Sequence, residues 1–402
     1  MKFNWLRNKT LSSLIIVVPV FLALPLIYYI PTSYILELYA SFLFLFYREK
    51  FHVSRKKISF AVLFFMYFII SSILSYDASN LGLNFFNENY RFFSFVLFTA
   101  LFLNADFDYP QIARACLLCC KFHILFTIYE FVYINIISPG DYGNVILVAK
   151  AAEAYDENTQ YLLPSDNIFS VAIRPLGLML QPQKSGFVFV IGIVLQYILD
   201  VYSKRKTSII WPILFSVAIG LVGAKTAFLA ALLLDLIILL DIYPGKKLKP
   251  FQKMFFIFSS IITILFILIK GISFSFEDII GGNTANSDLV NDTICFFNYP
   301  FYNWFVGIGL PYFSDLKAHG YACEIFYTRL IAQLGLPLFM ILILYMCNTY
   351  RTNNSKVNFI LLVVFLSMMI HYCIINAYFI GFCMVIIICF IQRYNLNEIK
   401  KI

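Results

Sequence analysis

The sequence predicts an all-α, polytopic integral membrane bundle, and three observations predict it. Of 402 residues, 61% are hydrophobic and only 13% are charged, about half the charged share of an average soluble protein. The mean hydropathy is +0.81. The apolar residues gather into runs that approach the ~20 residues needed to cross a bilayer core of about 30 Å. A water-soluble domain of this size has no interior large enough for that much apolar surface. A soluble enzyme, a nucleic-acid-binding protein and a secreted disulfide scaffold are thereby excluded.

Twelve runs qualify as spans of a single transmembrane domain over 1–402: 11–30, 33–47, 58–75, 92–104, 112–137, 176–202, 208–222, 226–242, 254–270, 324–347, 357–373 and 375–392. The first is too long, and lacks the small-residue cleavage site, to be a signal peptide, so it reads as an anchor. Orientation follows from the cations, because Lys and Arg concentrate in short cytoplasmic loops. Placing the N-terminus inside puts 21 of the 30 Lys and Arg residues on the cytoplasmic side. Clusters such as Arg55-Lys56-Lys57, Lys204-Arg205-Lys206 and Lys246-Lys247 carry this signal. Both termini are then cytoplasmic, and most of the formal +8 charge is a topology signal. Two long loops, 138–175 and 271–323, fall on the outer side, and loops of that length usually carry function.

Eight outer cations run against the charge rule: Arg91, Lys150, Arg174, Lys184, Lys225, Lys270, Lys317 and Arg329. No phosphate-cradling Gly-rich loop, zinc spacing or nucleophile elbow is present, and the four histidines are scattered. No metal or other cofactor is expected. Cys116-Leu117-Leu118-Cys119-Cys120 reads as small packing residues of an apolar helix, whereas Cys295 and Cys323 share the second outer loop and are candidates to pair. Glu37, Lys121, His123, Glu130, Asp235 and Asp241 fall within or at the edge of spans. Charged types there cost ~2.5–3.5 kcal/mol to insert, so each should face the interior with a partner. They form either a substrate or proton path or structural pairs such as Lys121 with Glu130 or Asp235.

Three stretches carry candidate chemistry. The first runs Ile173-Arg174-Pro175-Leu176-Gly177 to Gln181-Pro182-Gln183-Lys184. It places a guanidinium at the membrane surface beside a helix start broken by Pro and Gly, with Lys184 ten residues on. Arg suits bidentate capture of phosphate oxygens, and a helix N-terminus adds free N–H groups; the plain alternative is an anchor for lipid headgroups. The second is Gly223-Ala224-Lys225-Thr226, a turn of almost no length between two spans, whose Lys either completes an anion site with Arg174 or caps a helix end. The third holds Gly307-Ile308-Gly309, His319, Glu324, Arg329 and Gly335, with a candidate base in Glu324 or His319 and a cation in Arg329. Aromatic residues around Trp304 offer ring faces to sugars or form an interfacial belt.

In this order on a twelve-span frame, these stretches resemble the O-antigen polymerase and ligase superfamily, the Wzy-type polymerases and their ligase relatives. The resemblance rests on Arg174–Gly177 entering a span, on Lys225-Thr226 in the hairpin, and on Gly307-Ile308-Gly309 leading to Glu324 ahead of Gly335. It covers roughly residues 170–350. The hairpin has Lys225 where relatives usually carry Arg, and Glu324 stands where ligases carry His, which favours polymerase over ligase.

The resemblance implies a metal-independent glycosyltransferase of the bacterial cytoplasmic (inner) membrane that joins undecaprenyl-pyrophosphate-linked oligosaccharides into O-antigen or capsular polysaccharide, with a chain-length regulator as partner. Glu324, with His319 second, would take the acceptor proton. Arg174, Lys184, Lys225 and Arg329 would hold the pyrophosphate. The rival readings are an O-antigen ligase and a lipid-linked oligosaccharide flippase or other secondary transporter. A transporter would make more use of Lys121, His123, Glu130 and Asp235 but would not need two long loops on one face.

Overall fold

The computed structural model describes residues 9–23, 105–139, 174–241, 301–307, 334–350, 355–370 and 378–394, with isolated positions between 39 and 70 and at 331. Every regular element among the described residues is helical. In chain order they are α1 (Lys9–Leu22), α2 (Tyr109–Val132), α3 (Pro182–Tyr202), α4 (Ile210–Val222), α5 (Lys225–Leu239), α6 (Phe301–Val306), α7 (Leu336–Tyr350), α8 (Ser355–Ile370) and α9 (Tyr378–Arg393). α2 continues into one π-helical turn, Tyr133–Ile137. The expected runs 33–47, 58–75, 92–104 and 254–270 lie wholly or mostly outside the described residues, as do the bodies of both long loops.

α3 is the centre of the bundle and packs against α2, α4, α5, α8 and α9. Its sequence shows why. From Phe187 to Leu195 it is apolar on every side, and a helix hydrophobic all round has to be buried all round. α2 and α3 are the two helices among the described residues long and apolar enough to cross a membrane. The remaining apolar helices are shorter, between 10 and 17 residues.

Around an apolar core, the bundle also carries apolar stripes on its outer face. Leu118, Phe122, Leu125 and Tyr129 make an exposed stripe on α2 at helical spacing. Ile210, Ile213, Leu214 and Val217 do the same on α4, and Leu229, Leu232 and Leu233 on α5. Inside lie His123, Thr127, Glu130, Ser185, Gln196 and Asp200. Apolar stripes on the outer faces of helices suit contact with further apolar surface, lipid among it.

Antiparallel packing sorts the described cations to two ends. At one end Arg393 reaches Asp106 just before α2, Tyr202 meets Tyr394, and Lys356 bridges to Asp241 at 2.9 Å. Lys204, Arg205 and Lys206 follow α3 at this end. Arg174 and Lys184 lie at the other end, where α3 begins. The described cations thus fall at both ends of the bundle, and Arg174 and Lys184 are among those that the charge rule does not account for.

Two expected boundaries are corrected. The span expected to start at 176 is helical only from Pro182. Residues 176–181 form a turn instead, with Gly177 and Leu180 both at positive φ and the amides of Leu176 and Gly177 bonded to Glu130, and Pro182 suits the first turn of the helix that follows. The span expected at 324–347 is interrupted at Gly335 (φ 74°), and α7 starts at the next residue. Cys116, Cys119 and Cys120 are buried free thiols, as expected of packing residues. Cys295 and Cys323 lie outside the described residues.

Candidate functional site

The best-defined polar arrangement lies where α2 ends and α3 and α5 begin. α4 closes on Gly223, whose left-handed φ of 63° ends the helix and turns the chain at once into Ala224 and the start of α5. Only a residue without Cβ adopts this conformation freely. The same hydrogen atom makes room for a neighbour, since a Cβ at Gly223 would lie 3.1 Å from Arg174 Nε and 3.3 Å from its Cδ. The half-buried Arg174 side chain therefore lies across the hairpin. Burial lowers the Arg174 guanidinium from its ordinary value, but the group is still a cation at any physiological pH.

The two neighbouring helices are drawn together at this point. A Cβ on Gly186 would come within 2.7 Å of Ala224 Cβ and 2.9 Å of Ala227 Cβ, so the first turns of α3 and α5 pack backbone to backbone. α3 opens with Pro182 in its first turn, and neither N-terminus is capped by its own N-cap side chain, Gln181 or Ala224. The first amides of a helix have no intrahelical acceptor, and its N-terminus carries about half a positive charge. Two such termini, the Arg174 guanidinium and the half-buried Lys184 on the first turn of α3 bring positive charge to this corner.

The turn bearing Arg174 is fixed from beneath by Glu130. Glu130 Oε1 accepts from Leu176 N–H and Oε2 from Gly177 N–H, both at 2.8 Å. Ser185 Oγ donates to the Leu176 carbonyl at 2.7 Å. A side chain at Gly177 would overlap Ser185 Oγ and approach His123 Cε1 to 2.8 Å.

The interior ionisable groups find partners other than those expected. Lys121 does not pair with Glu130 or Asp235; its ammonium lies 3.7 Å from the centroid of the Trp211 ring. A cation over an indole face keeps favourable electrostatics without a buried carboxylate. Asp235 accepts from Ser216 Oγ at 2.7 Å, and Asp241 pairs with Lys356. His123 departs most from expectation. It is wholly buried between Phe21 and Phe189, and neither ring nitrogen has a partner among the described residues.

Of the residues singled out from sequence, Arg174, Lys184 and the backbone of Lys225 are thus brought to one corner. His319, Glu324 and Arg329 lie outside the described residues. Their flanks are described, and they converge: a Cβ on Gly335 would overlap the Phe305 carbonyl oxygen and stand 3.0 Å from Gly307 N. Tyr67 Oη donates to the Val306 carbonyl at 2.6 Å beside this contact. The two glycine landmarks of the third stretch therefore meet, although 28 positions separate them in the chain. Glu130, expected only as an interior ionisable group, and Ser185, which the first stretch runs into, are the residues whose part in this turn the motifs did not reveal. Their signals were a carboxylate inside an apolar run and a Ser in the first turn of a span. Among the described residues no group of His, Cys, Asp and Glu has the makings of a metal site. Compared with known proteins, the chain matches no family model, no curated protein and no solved structure.

Proposed function

We propose that the chain is a polytopic enzyme of the bacterial inner membrane that polymerises undecaprenyl-pyrophosphate-linked oligosaccharide units on the outer face. The observation that carries this reading is the Arg174 guanidinium laid over the Gly223 hairpin, where the first turns of α3 and α5 pack together. A guanidinium and two helix N-termini at the end of a bundle are matched to a pyrophosphate held at a membrane surface. The outward apolar stripes of α2, α4 and α5 support the multi-pass frame. The resemblance of Arg174–Gly177, Lys225-Thr226 and the Gly307–Gly335 stretch to O-antigen polymerases supports the substrate class.

In the reaction, a hydroxyl oxygen of the acceptor's terminal sugar attacks the anomeric carbon of the donor. The bond from that carbon to the pyrophosphate oxygen breaks, and undecaprenyl pyrophosphate leaves with the bonding pair. Arg174, Lys184, Lys225 and Arg329 offset the charge that grows on the leaving group. The hydroxyl proton passes to Glu324, with His319 the second candidate. The lipid tails of both substrates remain in the bilayer, so the chemistry stays at its outer boundary.

Alanine substitutions separate this reading from a transporter. With the gene deleted and variants supplied in trans, Arg174→Ala and Glu324→Ala are expected to abolish the polymer ladder while Lys121→Ala and Asp235→Ala retain it. The reverse pattern would assign the protein to transport of the lipid-linked unit.

A further inference from the structure

Glu130 is a carboxylate in the apolar body of α2, where charge is expensive, so its retention calls for a reason. It is wholly buried, and no Lys or Arg among the described residues forms an ion pair with it. Both of its oxygens are instead spent on one short piece of main chain, the amides of Leu176 and Gly177, two and three residues after Arg174. These amides cannot bond within α3, which begins at Pro182. Without Glu130 they would be buried donors that lose their acceptors, and the turn would lose the contact that holds it from beneath. Ser185 grips the same turn from the α3 side through the Leu176 carbonyl, and Gly177, at φ 66°, allows it to fit between Ser185 and His123.

We propose that Glu130 is the positioning residue of the anion site: by holding the Leu176 and Gly177 amides it fixes the turn that lays the Arg174 guanidinium over the Gly223 hairpin. This rests on the reading of Arg174 as the residue that meets a pyrophosphate. Glu130 touches no substrate and acts only through the main chain. Its two acceptors make the test sharp, because glutamine has the same size and shape but presents one acceptor and one NH2. The NH2 would face an N–H, donor against donor. A role in filling space would survive Glu130→Gln; a role in accepting two amides would not.

The experiment titrates inorganic pyrophosphate into the purified full chain in nanodiscs, following bound ligand by calorimetry, for the parent, Arg174→Ala, Glu130→Gln and the double variant. Thermal unfolding of each is recorded alongside. Glu130→Gln is expected to weaken binding about tenfold, the scale of one charge-assisted hydrogen bond, and to add little once Arg174 is alanine, since the two act as a unit. Glu130→Asp, which keeps both acceptors on a shorter stem, is expected to recover part of the loss. Parent-like binding by Glu130→Gln, with Arg174→Ala impaired, would overturn the positioning role and leave the anion site standing. Parent-like binding by Arg174→Ala would instead overturn the anion reading itself. If Glu130→Gln fails to fold, Ser185→Ala decides the matter. It frees the same turn by removing one neutral bond, so it is expected to weaken binding about threefold, and unchanged binding overturns the proposal.

Discussion

Arg174→Ala is expected to lower the rate of polymer formation by about 10²–10³-fold, the loss typical of removing one donor that stabilises charge in the transition state. The guanidinium lies across a hairpin whose bend depends on the left-handed Gly223, at the meeting of two helix N-termini. Removing it leaves the dipoles but takes away the full charge and the planar pair of donors. Arg174→Lys keeps the charge and loses the bidentate geometry, so it is expected to recover only part of the activity. Rates of repeat-unit incorporation in membranes from complemented deletion strains measure both. An Arg174→Ala variant that polymerises at the parental rate would remove Arg174 from the site.

The second large effect concerns the fold around the third stretch. Gly335→Ala is expected to destabilise the protein by about 2–5 kcal/mol, combining a left-handed backbone at φ 74° with a Cβ driven into the Phe305 carbonyl. The Cβ would also lie 2.7 Å from the carbonyl carbon, and backbone cannot swing aside as a side-chain tip can. Gly335 ends one helical stretch, its N–H bonding to the Ile331 carbonyl at 2.8 Å, and α7 starts at the next residue. Its contact with Gly307 brings the two ends of the Glu324-bearing segment together. The variant should therefore lose both folded protein and ladder. Thermal unfolding in detergent and the amount of folded protein in membranes check this, and a parental unfolding midpoint would contradict it.

The parts of this architecture legible in sequence are those set by local composition. The apolar runs expected at 208–222 and 226–242 correspond to Ile210–Val222 and Lys225–Leu239, and Gly223 marks the turn between them. The break at 176–181 is marked by Pro175, Gly177 and Pro182, but its extent is not. Leu176-Gly177-Leu178-Met179-Leu180 is as apolar as the helix it precedes, and the side chain that holds its first amides comes from Glu130, 46 residues earlier. One local signal points the right way: Pro182 is favoured in the first turn of a helix and disfavoured inside one.

The partners of the interior ionisable groups are also beyond sequence. Pairing of Lys121 with Glu130 or Asp235 is the expectation along the chain, but its ammonium lies over Trp211 on a neighbouring helix. The juxtaposition of Arg174 with the hairpin can be raised from motif order alone. The close packing of Gly186 on Ala224 and Ala227, which allows it, depends on helices that only the folded chain brings together.

In cells lacking this protein the missing step is expected to be polymerisation, and a lipopolysaccharide gel from a strain deleted for the gene decides it. The expected pattern is core carrying a single repeat unit, with every longer rung of the ladder gone. Bare core with no repeat attached would contradict the polymerase reading, because the defect would then lie in export or ligation.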